Sequence, residues 1–387
     1  MAFIESGYVS LNKYGEELCG DRVEIINQDD SVTMVLADGL GSGVKANILA
    51  TLTSKIIGTM IANGLRVDDA VETIAHTLPV CKQRQIAYST FSISKVSSSG
   101  ETYLIQYDNP LAILIHDGKC EDYPQKKLDV YGKTIYESRF KLDIGDMLIL
   151  ISDGVVHAGV GFVYNLGWQH ENVCNYIEEH YDPTMTSKGM AALIAGACRQ
   201  LYVDMPGDDT TVAVQRMRAP LSVNVMVGPP VKREDDRNVI SKFLAPHGKK
   251  IVCGGTTSQI VAAYLNEEVC PLIEYADPQV PPTATIKGID LVTEGVLTLS
   301  RAVKIIGGYT TSGDIGADYL DGRDGASMLS RMLLEDSTVI HFFVGRAINP
   351  AHQNPEFPSE LSIKTRLVEE LAQSLKVAGK KVEIDYY

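Results

Sequence analysis

The sequence predicts an α/β protein of two domains, and three observations carry that prediction. Its 387 residues are enough for two or three domains with buried cores. Up to about residue 218, apolar runs of strand length are interrupted by two pairs of helical segments. From about residue 220 onward, strands and helices alternate, which is typical of a parallel sheet. We therefore place the domain boundary between residues 1–219 and 220–387.

The predicted elements of the first domain follow from apolar periodicity. Short strands are expected near 5–15 and 20–28, a central strand at 32–37, helices at 44–62 and 68–78, strands from 88 to 120 and at 147–151, helices at 171–181 and 187–202, and a final strand from 211. His116 to Lys119 marks a hairpin turn, so we assign no chemistry to Asp117-Gly118.

The second domain is predicted from a shift in pattern after Arg218-Ala219-Pro220. Strands, helices and an irregular stretch alternate along it: strand 221–227, helix 234–245, strand 249–255, helix 256–266, irregular segment 271–288, helix 288–306, strand 337–345, helix 359–379 and strand 380–387. We expect a smaller α/β domain with a mainly parallel sheet.

Composition and cysteine usage restrict the class of protein. Hydrophobic residues make up 45% and charged residues 22%, as in ordinary globular proteins. The net charge of -14 argues against a nucleic-acid binder. Seven cysteines are scattered without a CxxC pair, which favours reduced thiols over disulfides or a zinc site. The N-terminus is too polar for a secretory signal, and no apolar run reaches the ~18 residues that a membrane span needs. We expect a cytoplasmic protein without a membrane segment.

The stretch from Val32 to Ala50 is the first candidate for chemistry. The apolar run Val32 to Ala37 ends at Asp38-Gly39, and a Gly/Ser-rich turn then leads into a helix. Asp38 is therefore placed at a strand end, where its carboxylate is open to a ligand, and Gly39 allows close approach of the backbone. Oxygen ligands of this kind suit Mg²⁺ or Mn²⁺.

Similar carboxylates recur along the first domain. Asp153-Gly154 follows the apolar run Met147 to Ile151, Asp208-Asp209 precedes a third such run, and Asp21 lies upstream of the central strand. Each aspartate taken alone is better explained as a turn or helix cap. Several strand-end carboxylates from different strands are what a site for two metal ions requires.

Four motifs in this order resemble the metal-dependent protein phosphatase (PPM) family, and within it the bacterial branch typified by the stage II sporulation protein E phosphatase. They are CGD at 19–21, ADGLGSG at 37–43, SDG at 152–154 and GDDTT at 207–211. The resemblance covers about residues 1–218. It implies an α-β-β-α sandwich of two mainly antiparallel sheets with metal ions at one edge. No family is recognised for the rest.

The resemblance also implies roles for individual residues. Asp38 would bridge two Mn²⁺ or Mg²⁺ ions, and Gly39 would give its carbonyl to one of them. Asp153 and Asp208 would complete the shell of the other ion, so that Asp38, Asp153 and Asp208 are the catalytic candidates. Asp21 would lie on the side of the ion bound by Gly39, and the adjacent Asp209 is a further metal-ligand candidate.

Two functional groups of such enzymes are not identified. In the eukaryotic branch, a histidine after the Asp-Gly is thought to protonate the leaving group. This chain has Leu40 at that position. The sporulation branch also lacks the histidine. The second group is an arginine that binds the phosphate. No motif identifies it, and Arg22, beside Asp21, is a weak candidate.

The function implied is a serine/threonine phosphoprotein phosphatase that uses a metal-activated water. Its partners would be phosphorylated regulatory proteins of bacterial signalling or partner-switching pathways, carrying phosphoserine or phosphothreonine. The second domain would be regulatory or ligand-sensing, with the 44–62 helix as a switch element. Two alternatives remain open: a non-catalytic sensor or scaffold that binds a metal or anion, and a small-molecule phosphatase.

One stretch of the second domain is similar to a phosphate-binding turn. Gly254-Gly255 ends a predicted strand, and Thr256, Thr257 and Ser258 open a helix, so a small anion could bind at Gly254–Ser258. A well-capped turn is the alternative, because the P-loop lysine and the third glycine of a dinucleotide fingerprint are missing. A cluster of acids, namely Asp314, Asp318, Asp321 and Asp324, lacks EF-hand spacing and is expected to form a loop.

Overall fold

The computed structural model describes residues 2–66, 69–70, 72–73, 89–130, 133–161, 163–272, 280–311, 320, 322–347 and 359–387. Most of the predicted 68–78 helix lies outside these ranges, as do Asp314, Asp318 and Asp321. The chain divides into two compact units, Met1–Ala219 and the part that follows from Pro220. None of the helices in the described ranges combines the length and apolar character that a bilayer span requires.

The first unit contains two antiparallel sheets. Its strands are β1 Phe3–Leu11, β2 Asp21–Asn27, β3 Ser31–Gly39, β4 Ser89–Ser97, β5 Glu101–Tyr107, β6 Ile113–His116, β7 Lys119–Glu121, β8 Lys126–Val130, β9 Lys133–Lys141, β10 Met147–Ile151 and β11 Thr210–Arg218. One sheet has the order β1-β11-β10-β6-β7 and the other β2-β3-β4-β5-β9-β8. The predicted hairpin at His116 and Lys119 is the β6–β7 pair.

Helices cover the outer faces of both sheets. They are α1 Gly43–Ala62, the short α2 Asp153–Val156, α3 His170–His180 and α4 Ser187–Leu201. The cluster that contains Met34 and Leu148 joins the two sheets, a second cluster joins α1 to β3 and β4, and a third joins α3 and α4 to β10 and β11. These three apolar layers confirm the predicted α-β-β-α sandwich.

The second unit is built on one mixed sheet. Its strands are β12 Ser222–Val227, β13 Lys249–Cys253, β14 Cys270–Pro271, β15 Ala284–Ile286, β16 Ile289–Thr293, β17 Val339–Val344 and β18 Lys381–Tyr386. Its helices are α5 Asp236–Leu244, α6 Gly255–Leu265, α7 Val296–Thr311, α8 Gly325–Leu334 and α9 Ser359–Val377. The order in the sheet is β14-β15-β16-β13-β12-β17-β18. The five strands β16-β13-β12-β17-β18 pair in parallel, whereas the β14–β15 and β15–β16 pairs are antiparallel.

Three sequence-based predictions of local structure were wrong or incomplete. The predicted helix at 288–306 is the strand β16 followed by α7, because Leu291, Val292 and Thr293 form a buried run and Glu294-Gly295 interrupts it. The segment predicted as irregular, 271–288, contains β15. The strands β8 and β9 were not predicted, since their many charged side chains give no apolar run.

Candidate active site

Asp21 and Asp38 lie directly opposite each other on neighbouring strands. They are register partners in the antiparallel β2–β3 pair, at the start of β2 and next to the end of β3. Because directly opposed residues point to the same face of a sheet, both carboxylates lie on one side. Asp21 is only 3% exposed. Neither of its carboxylate oxygens has a hydrogen-bond partner among the described residues.

The second sheet supplies the remaining acids. Asp153 is the first residue of α2, immediately beyond β10, and Asp208 and Asp209 immediately precede β11. The strands β10 and β11 are antiparallel neighbours, with Ile151 opposite Val212, so the end of β10 and the start of β11 lie side by side. A Cβ on Gly20, the residue before Asp21, would lie 2.7 Å from Asp209 Oδ2. The two sheets therefore bring together acids that are 188 positions apart in the sequence, from residue 21 to residue 209.

Glycines make the close approach of these segments possible. A Cβ on Gly39 would lie 2.1 Å from the Ala46 carbonyl oxygen of α1, and one on Gly154 would lie 2.2 Å from the Asp209 carbonyl oxygen. Both distances are far below van der Waals contact, so a side chain at either position would push the backbone apart. The glycine of each Asp-Gly motif thus fixes its aspartate at the junction of the elements.

Burial and neighbouring carboxylates raise the pKa of Asp21, Asp38 and Asp153. Burial, followed by repulsion from Asp21, Asp153 and the aspartates at 208 and 209, raises the pKa of Asp38 well above its ordinary value. Burial is also the main cause of the raised pKa of Asp21. The hydroxyl groups of Ser152 and Thr211 lie near enough to act against that increase, although neither meets the geometry of a hydrogen bond to the carboxylate.

The pKa of Asp153 is raised for the same two reasons. Burial and then repulsion from Asp208 raise its pKa, and the neighbouring His157 imidazole lowers it. These interactions require the carboxylates to lie near one another, so Asp21, Asp38, Asp153, Asp208 and Asp209 form one acidic cluster.

Lys13 is the residue of this site that the sequence did not indicate. Its ammonium group lies 3.8 Å from an Asp208 carboxylate oxygen, and its backbone N–H donates to Asp209 Oδ1 at 3.0 Å. It reaches the cluster from the loop after β1, nearly two hundred positions before its partners. No local pattern marks a lysine for such a contact.

The cluster has the donor chemistry of a divalent-cation site. Three buried carboxylate oxygens, both of Asp21 and Oδ2 of Asp209, have no hydrogen-bond partner among the described residues. Buried, unpaired carboxylates are costly, and a hard cation with oxygen ligands would satisfy them. As they stand, no three histidine, cysteine, aspartate or glutamate side chains of the described ranges have the geometry of a formed metal site. Metal binding would therefore have to draw the carboxylates together.

One of the sequence-based candidates, Arg22, points away from the cluster. Along β2 the residues alternate between faces, with Asp21 and Val23 buried and Arg22 exposed. Arg22 therefore points to the face opposite Asp21, which argues against a phosphate-binding role there. Leu40 is 41% exposed, in the turn before α1.

Residues 28–218 match the model of the family described as stage II sporulation protein E (SpoIIE). No curated protein matches the chain significantly.

Several solved structures are similar to part of the chain. The PP2C phosphatase domain with a regulatory-domain fragment of SpoIIE from Bacillus subtilis is 18% identical, with 56% of this chain and 62% of that chain covered and a TM-score of 0.48. The RsbU and RsbW domains of Rv1364c from Mycobacterium tuberculosis are 17% identical, with 62% and 66% covered and a TM-score of 0.46. RsbX in complex with magnesium is 20% identical, with 55% and 95% covered and a TM-score of 0.39. The first two are thus matched over less than two thirds of their own length.

Proposed function

We propose that this chain is a metal-dependent serine/threonine phosphoprotein phosphatase, and the match of residues 28–218 to the model of the stage II sporulation protein E family supports this proposal. One observation carries the proposal: five aspartates from two sheets meet in one cluster that contains three buried oxygens without partners. A purely structural cluster of this composition would destabilise the fold, because it holds buried like charges. A function that requires bound cations explains its presence.

We assign the ligand roles by position. Asp38 belongs to the strand next to Asp21 and is also close to Asp153 and Asp208, so it is the best candidate to bridge two ions. The Gly39 carbonyl and Asp21 would serve one ion, Asp153 and Asp208 the other, and the Asp209 oxygen without a partner is a further candidate. When bound, Mn²⁺ or Mg²⁺ would neutralise phosphate charge and lower the pKa of a water.

The remaining residues of the site orient and support these acids. Lys13 holds Asp208 by charge and fixes Asp209 through its backbone N–H. The Ser89 hydroxyl donates to the Asp38 carbonyl at 2.8 Å, and the Tyr202 hydroxyl donates to the Gly154 carbonyl at 2.7 Å. These hydrogen bonds fix the backbone at Asp38 and Gly154, so the acids are already positioned before a phosphate binds.

A protein is the substrate class that we favour over a small molecule. Leu40, Val44 and Ile48 follow one another at four-residue spacing from the turn after Gly39 along α1, and they are 41%, 60% and 52% exposed. An exposed apolar stripe beside an acidic site suits a protein surface. We propose that the partner is a regulatory protein that carries phosphoserine or phosphothreonine, and that the second domain regulates this activity.

Hydrolysis of p-nitrophenyl phosphate and of a phosphoserine peptide, with Mn²⁺, Mg²⁺ or EDTA, tests the proposal. Turnover should require a metal and fall by at least about a hundredfold in Asp38→Asn and Asp153→Asn, because each removes a ligand charge. The matched control is Asp117→Asn, which changes the Asp-Gly of the β6–β7 hairpin, where the aspartate side chain is 96% exposed.

Three outcomes separate the candidate functions. Metal-dependent turnover that survives in the control and is lost in both site variants supports a phosphatase. Turnover of p-nitrophenyl phosphate but of no phosphopeptide would favour a small-molecule phosphatase. Folded protein that binds Mn²⁺ but hydrolyses nothing would contradict the enzyme and favour a sensor built on this fold.

A further inference from the structure

The second unit contains a cleft where ligands bind in open α/β sheets. Its parallel strands run in the order β16-β13-β12-β17-β18, so the direction in which successive strands are added reverses between β12 and β17. Ligands of such sheets bind beyond the carboxyl ends of the strands at this reversal. A cleft of about 790 Å³ lies there, lined by residues that follow β12, β13 and β16. Its size is that of a small-molecule site.

One wall of the cleft is the N-terminus of α6. The helix starts at Gly255, and the preceding Gly254, at φ +116°, has no side chain that could cap it. The first N–H groups of a helix have no acceptor within the helix, and the helix dipole adds positive potential there. This end of the cleft is therefore suited to a phosphate group.

Thr257 provides an independent indication of a ligand. The residue lines the cleft in the first turn of α6 and is 1% exposed, yet its hydroxyl has no hydrogen-bond partner among the described residues. The hydroxyl oxygen lies 3.1 Å from the place that a Cβ of Gly254 would occupy, so it faces the glycine turn. A buried hydroxyl without a partner is costly, and a bound phosphate oxygen would accept its hydrogen bond.

The rest of the cleft has the chemistry of a nucleoside site. Val231, Val296 and Leu297 line it with large exposed fractions of 64%, 36% and 58%, which offers an apolar surface to a planar base. Asp236 lines it as well, and its buried Oδ1 has no partner among the described residues, so it can accept from a sugar hydroxyl. Arg233 adds positive charge to the lining.

We propose that the second domain binds a mononucleotide in this cleft. The phosphate would lie on the first-turn N–H groups of α6 and the Thr257 hydroxyl, the sugar near Asp236, and the base against the apolar residues around Leu297. A dinucleotide is less suitable, because the turn at Gly254-Gly255 lacks the third glycine of that fingerprint. The proposal concerns residues of the second domain only and does not depend on the phosphatase activity.

Calorimetric titration of the full chain with AMP, ATP and GTP tests this directly. Adenosine, inorganic phosphate and glucose 6-phosphate serve as probes of the separate parts, and EDTA keeps nucleotides from binding through metal ions at the acidic cluster. We expect at least one nucleotide to bind with a dissociation constant below about 100 µM and the three partial probes to bind at least tenfold more weakly. No nucleotide binding up to about 5 mM, or equal binding of glucose 6-phosphate, would overturn the proposal.

Two variants of cleft residues test whether the nucleotide binds at this position. Gly255→Asp puts a carboxylate at the helix N-terminus, where a Cβ meets no atom within 4 Å, so the fold should tolerate it while the phosphate is repelled. Thr257→Val keeps the shape and removes the hydroxyl that lacks a partner.

The matched control is Thr298→Val, because Thr298 is also fully buried with an unpartnered hydroxyl and is not part of the cleft lining. We expect nucleotide binding to weaken roughly thirtyfold in Gly255→Asp and roughly fivefold in Thr257→Val, with unchanged or higher melting temperatures, and no change in the control. Unchanged binding in both cleft variants would contradict the site.

Discussion

Asp21 and Asp38 are direct cross-strand partners in β2 and β3, so the register of one hairpin places two carboxylates side by side in a mostly buried position. Like charges directly opposed across a sheet destabilise it. Under the proposed function, the same register would provide two ligands on one face for cations that neutralise them. The acidic cluster would then destabilise the metal-free fold and bind cations in the loaded protein.

Removal of one of the opposed charges should stabilise the metal-free protein. In EDTA at neutral pH, Asp21→Asn should raise the free energy of unfolding by about 1 kcal/mol, because the other acids lose a repulsive neighbour. Chemical denaturation followed by circular dichroism measures this. Asp117→Asn, on the exposed hairpin, should change nothing. A lower stability of Asp21→Asn in EDTA would mean that the Asp21 carboxylate has a structural partner.

The glycine of the first Asp-Gly motif should be irreplaceable. In Gly39→Ala the new methyl group would lie 2.1 Å from the Ala46 carbonyl oxygen, so α1 has to move away from β3. We expect a loss of about 3 kcal/mol or more and weaker metal binding. The control is Gly196→Ala in α4, where a Cβ meets nothing within 4 Å. That change should stabilise the protein by up to about 1 kcal/mol.

Among the described residues of the first domain, Glu5 should contribute more to stability than residues of exposed ion pairs. Its carboxylate lies 2.8 Å from Arg218, with both side chains largely buried, and it also accepts from the backbone N–H of Ser187 at the start of α4. Glu5→Ala leaves a buried arginine without this partner and should cost about 3–5 kcal/mol. Lys119→Ala breaks a pair in which the lysine is 70% exposed and should cost less than about 1 kcal/mol. Similar losses in the two variants by thermal denaturation would contradict this ranking.

The Cys174 thiol should be more acidic than that of a free cysteine. A hydrogen bond from Cys120 is the main cause that lowers its pKa, and His170, whose Nδ1 lies 3.7 Å from the Cys174 sulfur, lowers it further, while burial acts in the opposite direction. Since the lowered pKa favours the thiolate, the rate of alkylation should stay high as the pH falls below 8, where a free cysteine loses reactivity.

Mass spectrometry of iodoacetamide-treated protein, as a function of pH, measures this rate for each cysteine. His170→Gln and Cys120→Ala should each move the alkylation profile of Cys174 to higher pH. A profile that matches N-acetylcysteine in the unchanged protein would show that these neighbours have no effect on the thiol.

The acids of the candidate site could be proposed from the sequence because each motif is local. An aspartate and a glycine at the end of an apolar run are visible in one short window, at Asp38 and again at Asp153. Lys13 was not predictable, because its contact with Asp208 depends on the pairing of β1 with β11. The same limit applies to the cleft of the second domain. Gly254–Ser258 was visible as a helix start, but Val231 and Asp236 join it only through the order of the parallel strands.

Helix and strand could not be distinguished where apolar runs were short or charged. Ile289–Thr293 continues into α7 after only two residues, so the pair of elements resembles one long helix in sequence. The strands β8 and β9 carry charged side chains at most of their exposed positions and were missed. The pairing of β8 with β9 and of β9 with β5 is a tertiary property that local propensity does not determine.

The most direct test of the central claim is calorimetric and thermal titration of the unchanged protein and of Asp38→Asn with Mn²⁺ and Mg²⁺. We predict that the unchanged protein binds two ions per chain and that saturating metal raises its melting temperature by several degrees. Asp38→Asn should fold, melt at least as high in EDTA, and lose most of the stabilisation by metal. Equal stabilisation of both proteins, or none in the unchanged one, would contradict a metal site at this cluster.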